Sequence, residues 1–376
     1  MRTLALLTAV LVCACSALPV KPAPRAAPSP TASAATLEAF VPVAEKFVEE
    51  HRGLKFKSPV KVTFLADADF VAQLNKANEI DLAGYVTEAK VLHALGLLDG
   101  HPDLARAEQD LQGSSVIGFY DTKTKQLFVR GVDPRASVRR VLVHELTHAL
   151  QDQWFAIDRN TASDDESDIA YRTLVEGDAV RIEDQYVASL SAAERRQVEA
   201  DDAAAPVPPS TVPTVLEELD SFPYVFGPDF TRAVVSAGGQ SRLDAAFKTP
   251  PTSSAEVIHP ELFLRGHDPL VVDFPLADGG VIDKGVIGEL GLDLLLERLN
   301  QKGEVSGQLA HQITAGWSGD RYVAWDQGTT SCVRTDFVMA DASATRALLA
   351  ALRAFASDHA GTVVSGSGPV LFTACA

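Results

Sequence analysis

At 376 residues, with 46% hydrophobic and 22% charged positions, the chain has an ordinary globular composition, long enough for one large domain or two modest ones. Its formal net charge of −17 excludes a surface built to hold nucleic acid or anionic lipid, because such a field repels phosphate. The sequence shows no internal repeat and no apolar run long enough to span a membrane.

The chain opens like an export signal. Arg2 supplies the positive start, and Leu4 to Val12 is an apolar stretch too short to cross a bilayer. Val12-Cys13-Ala14-Cys15 then resembles a bacterial lipoprotein signal with Cys15 as the lipid-bearing residue; plain secretion with cleavage near Ala17 is the alternative. Residues 1–15 are therefore expected to be a signal and residues 16–36, rich in proline, alanine and serine, an extended tether. The expected location is the cell envelope, with membrane contact only through the anchor at Cys15.

A first helix is expected over Leu37 to His51, a strand over Val60 to Leu65 and a short helix over Asp69 to Asn78. Ile117 to Tyr120 and Gln126 to Val129 flank Asp121 to Lys125 and read as a hairpin. Asp133-Pro134 then looks like an N-cap followed by proline in the first turn of a long helix. Its apolar positions are Ala136, Val138, Val141, Leu142, Leu146, Ala149 and Leu150. This helix carries His144-Glu145-Leu146-Thr147-His148. Histidines four apart lie one above the other on the same face, so His144 and His148 can converge on one metal ion. Glu145 between them is placed to take a proton from a water at the metal. The residues around them, Val141 to Leu150, are otherwise uncharged, which suits a helix buried in a core.

A zinc enzyme needs three protein ligands and an open fourth position. Asp168 to Leu190 reads as a second long helix, and Glu176 on it is the expected third ligand. The competing acids Asp164, Asp165, Glu166 and Asp168 read as a solvated loop between the helices. Gly177 lowers helix stability by about 1 kcal/mol relative to alanine, which suggests close approach of another backbone or of the metal helix.

Ser191 to Asp202 continues helical, and four prolines in residues 203–213 mark a break. Phe230 to Ala237, Ser241 to Phe247 and Lys284 to Leu299 look helical. The end reads strand (Tyr322 to Trp325), strand (Cys332 to Met339), helix (Ala342 to Phe355), strand (Thr362 to Ser365) and strand (Val370 to Cys375). Cys332 and Cys375 form an even pair in an oxidising setting, so a disulfide between neighbouring strands is expected. The fold class is α+β. Residues 37–202 form the catalytic domain, 203–213 a linker, 214–303 a helical subdomain and 304–376 a C-terminal α+β subdomain.

The chain resembles the gluzincin clan of zinc metallopeptidases. His144, Glu145 and His148 match its HExxH helix, and Glu176-Gly177-Asp178-Ala179 is similar to the Glu-Gly-x-Ala form of its ligand helix. It is more similar still to a group of bacterial secreted proteins carrying HExxHALQDQ and a VEGDA segment, matched by His144 to Gln153 and Val175 to Ala179. Pro250 to Pro260 and Gly316 to Tyr322 also resemble that group, so the likeness runs in islands from Gly118 to Tyr322. The resemblance implies a zincin-like core, one Zn2+ per chain held by His144, His148 and Glu176, and a peptide or protein substrate. A hairpin just ahead of the metal helix is where this clan binds extended peptide. Many gluzincins place an aspartate four residues after the ligand glutamate to orient a histidine. That position is Val180 here, leaving Asp178, Asp184 or Asp152 to serve.

The expected reaction is amide hydrolysis with Glu145 as general base. The oxyanion needs a further donor, for which His259 and Tyr322 are the candidates, with Arg321 behind them. Two other readings stand beside it: an exported scaffold or binding lipoprotein with a non-catalytic zincin fold, and a zinc hydrolase acting on a non-peptide amide.

Overall fold

The computed structural model describes residues 36–376 except 79–81, 159–163, 302–305, 360 and 367. The export signal, Cys15 and the tether up to residue 35 lie outside the described residues. The first half runs α1 (Leu37–Arg52), β1 (Lys61–Leu65), α2 (Asp67–Ala77), α3 (Leu82–Ala94), α4 (Leu104–Ser115), β2 (Gly118–Asp121), β3 (Gln126–Arg130) and α5 (Ala136–Phe155). Next come α6 (Asp165–Ser189), α7 (Ala192–Ala203), α8 (Thr214–Lys248), α9 (Ser254–Ile258), α10 (Pro260–Leu264), β4 (Gly280–Gly285) and α11 (Gly288–Gln301). The chain closes with α12 (Gly307–Thr314), β5 (Trp317–Gln327), β6 (Thr330–Met339), α13 (Ala342–Asp358), β7 (Val363–Ser365) and β8 (Val370–Cys375). The architecture is α+β, with small sheets among many helices.

The metal helix α5 is buried on every side, leaving only Gln153 and Trp154 outside its buried set. It begins at Ala136, later than Asp133-Pro134 suggests; Asp133 instead accepts the Arg135 amide at 3.1 Å. Leu142, Leu146 and Leu150 share a core with Leu37, Phe40 and Val48 of α1, Tyr120, Leu127 and Val129 of the hairpin, and Ile182 and Tyr186 of α6. The two charged residues near its start, Arg139 and Arg140, are buried against Glu194 (2.6 Å) and Asp202 (2.7 Å) around α7. Burying a guanidinium is tolerable only with such a partner.

The hairpin belongs to a three-stranded sheet of order β1-β3-β2, with β1 parallel and β2 antiparallel to β3. β2 is therefore an edge strand, and it lies against α5. Gly118 makes that approach possible, since a Cβ there would stand 2.9 Å from Val141 Cγ1 and 3.4 Å from Glu145 Cγ.

The acids at the start of α6 are not a solvated loop. Asp164 caps the helix by accepting the Ser167 amide, and Ser167 returns the bond, which fits the preference of acidic groups for a helix N-terminus. Glu166 is buried and accepts the Ser254 amide and hydroxyl, both at 2.6 Å. The two helices expected near 230–247 lie on either side of a break at Gly238 and Gly239 within α8, and the first of them starts sixteen residues earlier than expected, at Thr214. Pro223 and Pro228 lie inside it, which is why the sequence reads as unsuited to helix there. Neither α3 nor α4 has a counterpart in the sequence reading.

The C-terminal sheet has order β4-β5-β6-β8-β7 and is antiparallel throughout. Its edge strand β4 comes from the stretch read as helical. Cys332 and Cys375 face each other in the β6/β8 register and are joined by a disulfide. Among the described residues no helix is long and apolar enough to cross a membrane.

Three buried glutamates make stability depend on pH. Burial pushes Glu88 on α3 and Glu166 on α6 up to about 8, and Glu108 on α4 up to about 7. Each keeps its proton in the folded chain where an unfolded glutamate, with a pKa of about 4.3, has lost it. Their contribution is therefore complete below that value and is lost as pH rises through 7 to 8. Urea unfolding of the chelator-treated chain is expected to show a stability lower by several kcal/mol at pH 8 than at pH 5.5. Equal stability at the two values would mean that these carboxyls are ionised and paired.

Candidate metal centre

Helical spacing puts His144 and His148 on one face of α5, and α6 brings Glu176 to the same point. The two Nε2 atoms are 2.9 Å apart, and each is 3.2 Å from Glu176 Oε2. All three side chains are buried, and they are the group of metal-binding side chains that converges among the described residues.

The outer faces of the rings decide what the inner faces can do. His148 Nδ1 lies 3.0 Å from Gln151 Oε1, and the Gln151 amide nitrogen donates to Val175 O (3.0 Å) and Asp178 Oδ2 (3.1 Å). That leaves only the amide oxygen for the ring, so Nδ1 must donate. His144 Nδ1 likewise donates to Glu183 Oε2 at 2.8 Å. In the neutral imidazoles both Nε2 atoms are therefore bare lone pairs, aimed at each other and at a carboxylate. Three electron-rich atoms at these distances repel unless a cation sits among them. Two ligands of a tetrahedral zinc stand roughly 3.3 Å apart for bonds of about 2.0 Å, close to the spacing here. Glu176 Oε1 is buried with no hydrogen-bond partner, a further acceptor left for an ion. The residues present can hold a metal ion.

The electrostatics agree. Burial would raise the Glu176 carboxyl, but the imidazoles of His148 and His144 hold it well below the usual range. Burial opposes charge on His144 as well, yet Glu176 and Glu183 together raise it well above its ordinary value. A proton can thus occupy the space in place of a metal, and the two compete.

Support for each histidine runs outward to a different helix. His144 leads to Glu183, then to Arg140 Nε (3.3 Å), whose other nitrogens fork onto Asp202 at 2.7 and 2.8 Å. His148 leads through Gln151 to Asp178, which receives Arg52 Nε at 2.6 Å and an Arg181 nitrogen at 2.7 Å. Of the three candidates for orienting a histidine, Asp178 serves through Gln151. Asp152 instead accepts the Tyr120 hydroxyl (2.9 Å) and Lys125 (2.8 Å). Asp184 shows no bond to either ring; burial, with Glu183 beside it, pushes it up to about 6. The residue missed is Glu183, seven positions after Glu176 and so on the same helical face; that spacing was the available signal. Glu183→Ala is expected to weaken zinc binding about 10–100-fold in competition with a chromogenic chelator. Unchanged affinity would show the His144–Glu183 bond to be idle.

Glu145 is fully buried beside the pair and accepts the Tyr120 amide of β2 at 2.9 Å. Gly177 does mark a close approach, but to α8 and not to the metal helix. A Cβ on Gly177 would stand 2.2 Å from Gly227 O, and one on Gly227 would stand 2.6 Å from Thr173 O. Thr231 Oγ1 donates to Gly177 O at 3.0 Å across the same crossing. This contact sets Tyr224, one turn before Gly227, with its ring 6.4 Å from the His144 ring. No local pattern pointed to Tyr224.

The expected oxyanion donors are placed elsewhere. Tyr322 is buried in the C-terminal sheet, where its hydroxyl donates to Asp283 of β4. His259, between α9 and α10, bonds Glu289 at 2.9 Å, and Arg321 pairs with Asp164 at 3.0 Å. None of these contacts joins them to the metal-binding side chains; each is held by a carboxylate of its own. No protein-family model matches this chain, and no match is found among the curated proteins or the solved structures.

Proposed function

We propose that the chain is a zinc-dependent metallopeptidase of gluzincin type that hydrolyses peptide bonds in a peptide or protein substrate. One observation carries this reading: among the described residues three ligand side chains converge, not four, with the Glu145 carboxylate in the same helical turn. A structural zinc site is closed by four protein ligands, whereas a catalytic one keeps a position for water and needs a base beside it.

His144, His148 and Glu176 hold the ion. When bound, zinc supplies Lewis acidity, polarising a carbonyl and lowering the pKa of a water toward about 7. Glu145, fixed by the Tyr120 amide, takes a proton from the attacking water and delivers it to the leaving nitrogen. Tyr224, whose ring lies 6.4 Å from that of His144, takes over the role of oxyanion donor first sought at Tyr322 and His259. β2, the edge strand whose Tyr120 amide turns toward Glu145, is the element against which an extended substrate would pair.

The purified chain is expected to carry one zinc, and Glu176→Ala well under half of that, by metal analysis. Digestion of a broad peptide library, read by mass spectrometry, is expected to yield cuts that stop on chelation. Full zinc retention by the variant would dismiss Glu176 as a ligand. A zinc-loaded chain that leaves the library whole would turn the reading to a binding lipoprotein or a hydrolase of other amides.

A further inference from the structure

One cation near the metal centre is left without a mate. Arg172 lies on α6 one turn before Glu176, hence on the same face of that helix. Its Nε is buried and takes no hydrogen bond, and among the described residues no carboxylate comes within ion-pair distance of it. The neighbouring arginines differ: Arg52 and Arg181 end on Asp178, Arg139 on Glu194 and Arg140 on Glu183 and Asp202. Groups near enough to act electrostatically on Arg172 include Asp168, Asp220, Tyr224 and Glu176. Two of these belong to the centre itself, since Glu176 is a ligand and Tyr224 stands 6.4 Å from the His144 ring. Asp168 and Asp220 offset the charge at a distance but leave the planar fork of donors unused.

The Arg172 Nε is shielded from water and unpaired, and the planar fork of a guanidinium matches a carboxylate bidentately. Resting on the hydrolase reading above, we propose that Arg172 is the receptor for a substrate carboxylate in the metal cleft. The substrate class is then a peptide with a carboxylate at a fixed distance from the scissile bond, either an acidic side chain or the free C-terminus. The surrounding protein makes such a preference informative. A net charge of −17 by itself disfavours acidic peptides, so a preference for them needs a local cation.

The test compares digestion by the zinc-loaded chain of one peptide library in three forms: untreated, amidated at C-termini only, and methyl-esterified at every carboxyl. The untreated library is expected to be cut at least tenfold faster than the esterified one, with a carboxylate aligned at one position relative to the cut. The amidated form tells a terminal carboxylate from a side-chain one. Arg172→Gln is expected to erase the difference and Arg172→Lys to keep part of it; the lysine variant alone serves if the glutamine variant does not fold. Equal rates on untreated and esterified libraries would overturn the receptor and leave hydrolysis standing. If no library is cut, the hydrolase reading falls, and binding decides. The chelator-treated chain is then titrated by NMR with N-acetylglutamate amide, N-acetylalanine and the neutral N-acetylglutamine amide. At least tenfold tighter binding of either acid than of the neutral probe, lost in Arg172→Gln, upholds the receptor. Equal binding of all three overturns it.

Discussion

Glu145→Gln is expected to lower the rate of hydrolysis of an unfolded protein substrate by about 10²- to 10⁴-fold, the usual worth of a positioned general base. Zinc content should stay at the wild-type level, because Glu145 is not among the converging ligands. The substitution is nearly isosteric, and the amide oxygen of glutamine can still accept the Tyr120 N–H that now holds Oε2 at 2.9 Å. Only the ability to take up a proton is removed. Loss of zinc together with activity would mean that Glu145 supports the metal and is not the base. A rate within threefold of wild type, with zinc retained, would remove the base role altogether.

Gly177→Ala is expected to have a large effect on folding for a single added methyl group. Alanine gains about 1 kcal/mol over glycine inside a helix by propensity alone. Here the added Cβ would stand 2.2 Å from Gly227 O, and a backbone atom cannot move aside as a side-chain tip can. Overpacking of this sort costs about 1–3 kcal/mol, occasionally more, and relief requires α6 and α8 to separate. A net loss of about 2 kcal/mol in urea unfolding is expected, with a fall in activity beyond it, because the crossing positions both Glu176 and Tyr224. Gly113→Ala on α4 is the control, since nothing lies within 4 Å of its added Cβ. If both variants unfold alike, the α6–α8 crossing is looser than described.

The two histidines are supported differently. His144 backs onto a carboxylate that Arg140 steadies, whereas His148 backs onto a neutral amide steadied by Asp178 and Arg52. A carboxylate raises the basicity of its imidazole more than an amide does. Loss of Glu183 is therefore expected to damage metal affinity more than loss of Gln151.

What the sequence determined by itself rests on local periodicity. Four-residue spacing put His144 and His148 on one face, helix context singled out Glu176, and the cost of a mid-helix glycine marked Gly177 as a backbone contact. Alternating segments around Cys332 and Cys375 were enough to expect their bridge. The tertiary structure alone decided the rest, because those relations join residues with no common period. Arg52 meets Asp178 across 126 positions, and Tyr224 reaches His144 from a helix whose two prolines hid it. Tyr322 and His259 looked available only while their partners Asp283 and Glu289 were out of view. A buried polar side chain does whatever its nearest partner requires, and that partner is chosen by packing between distant segments.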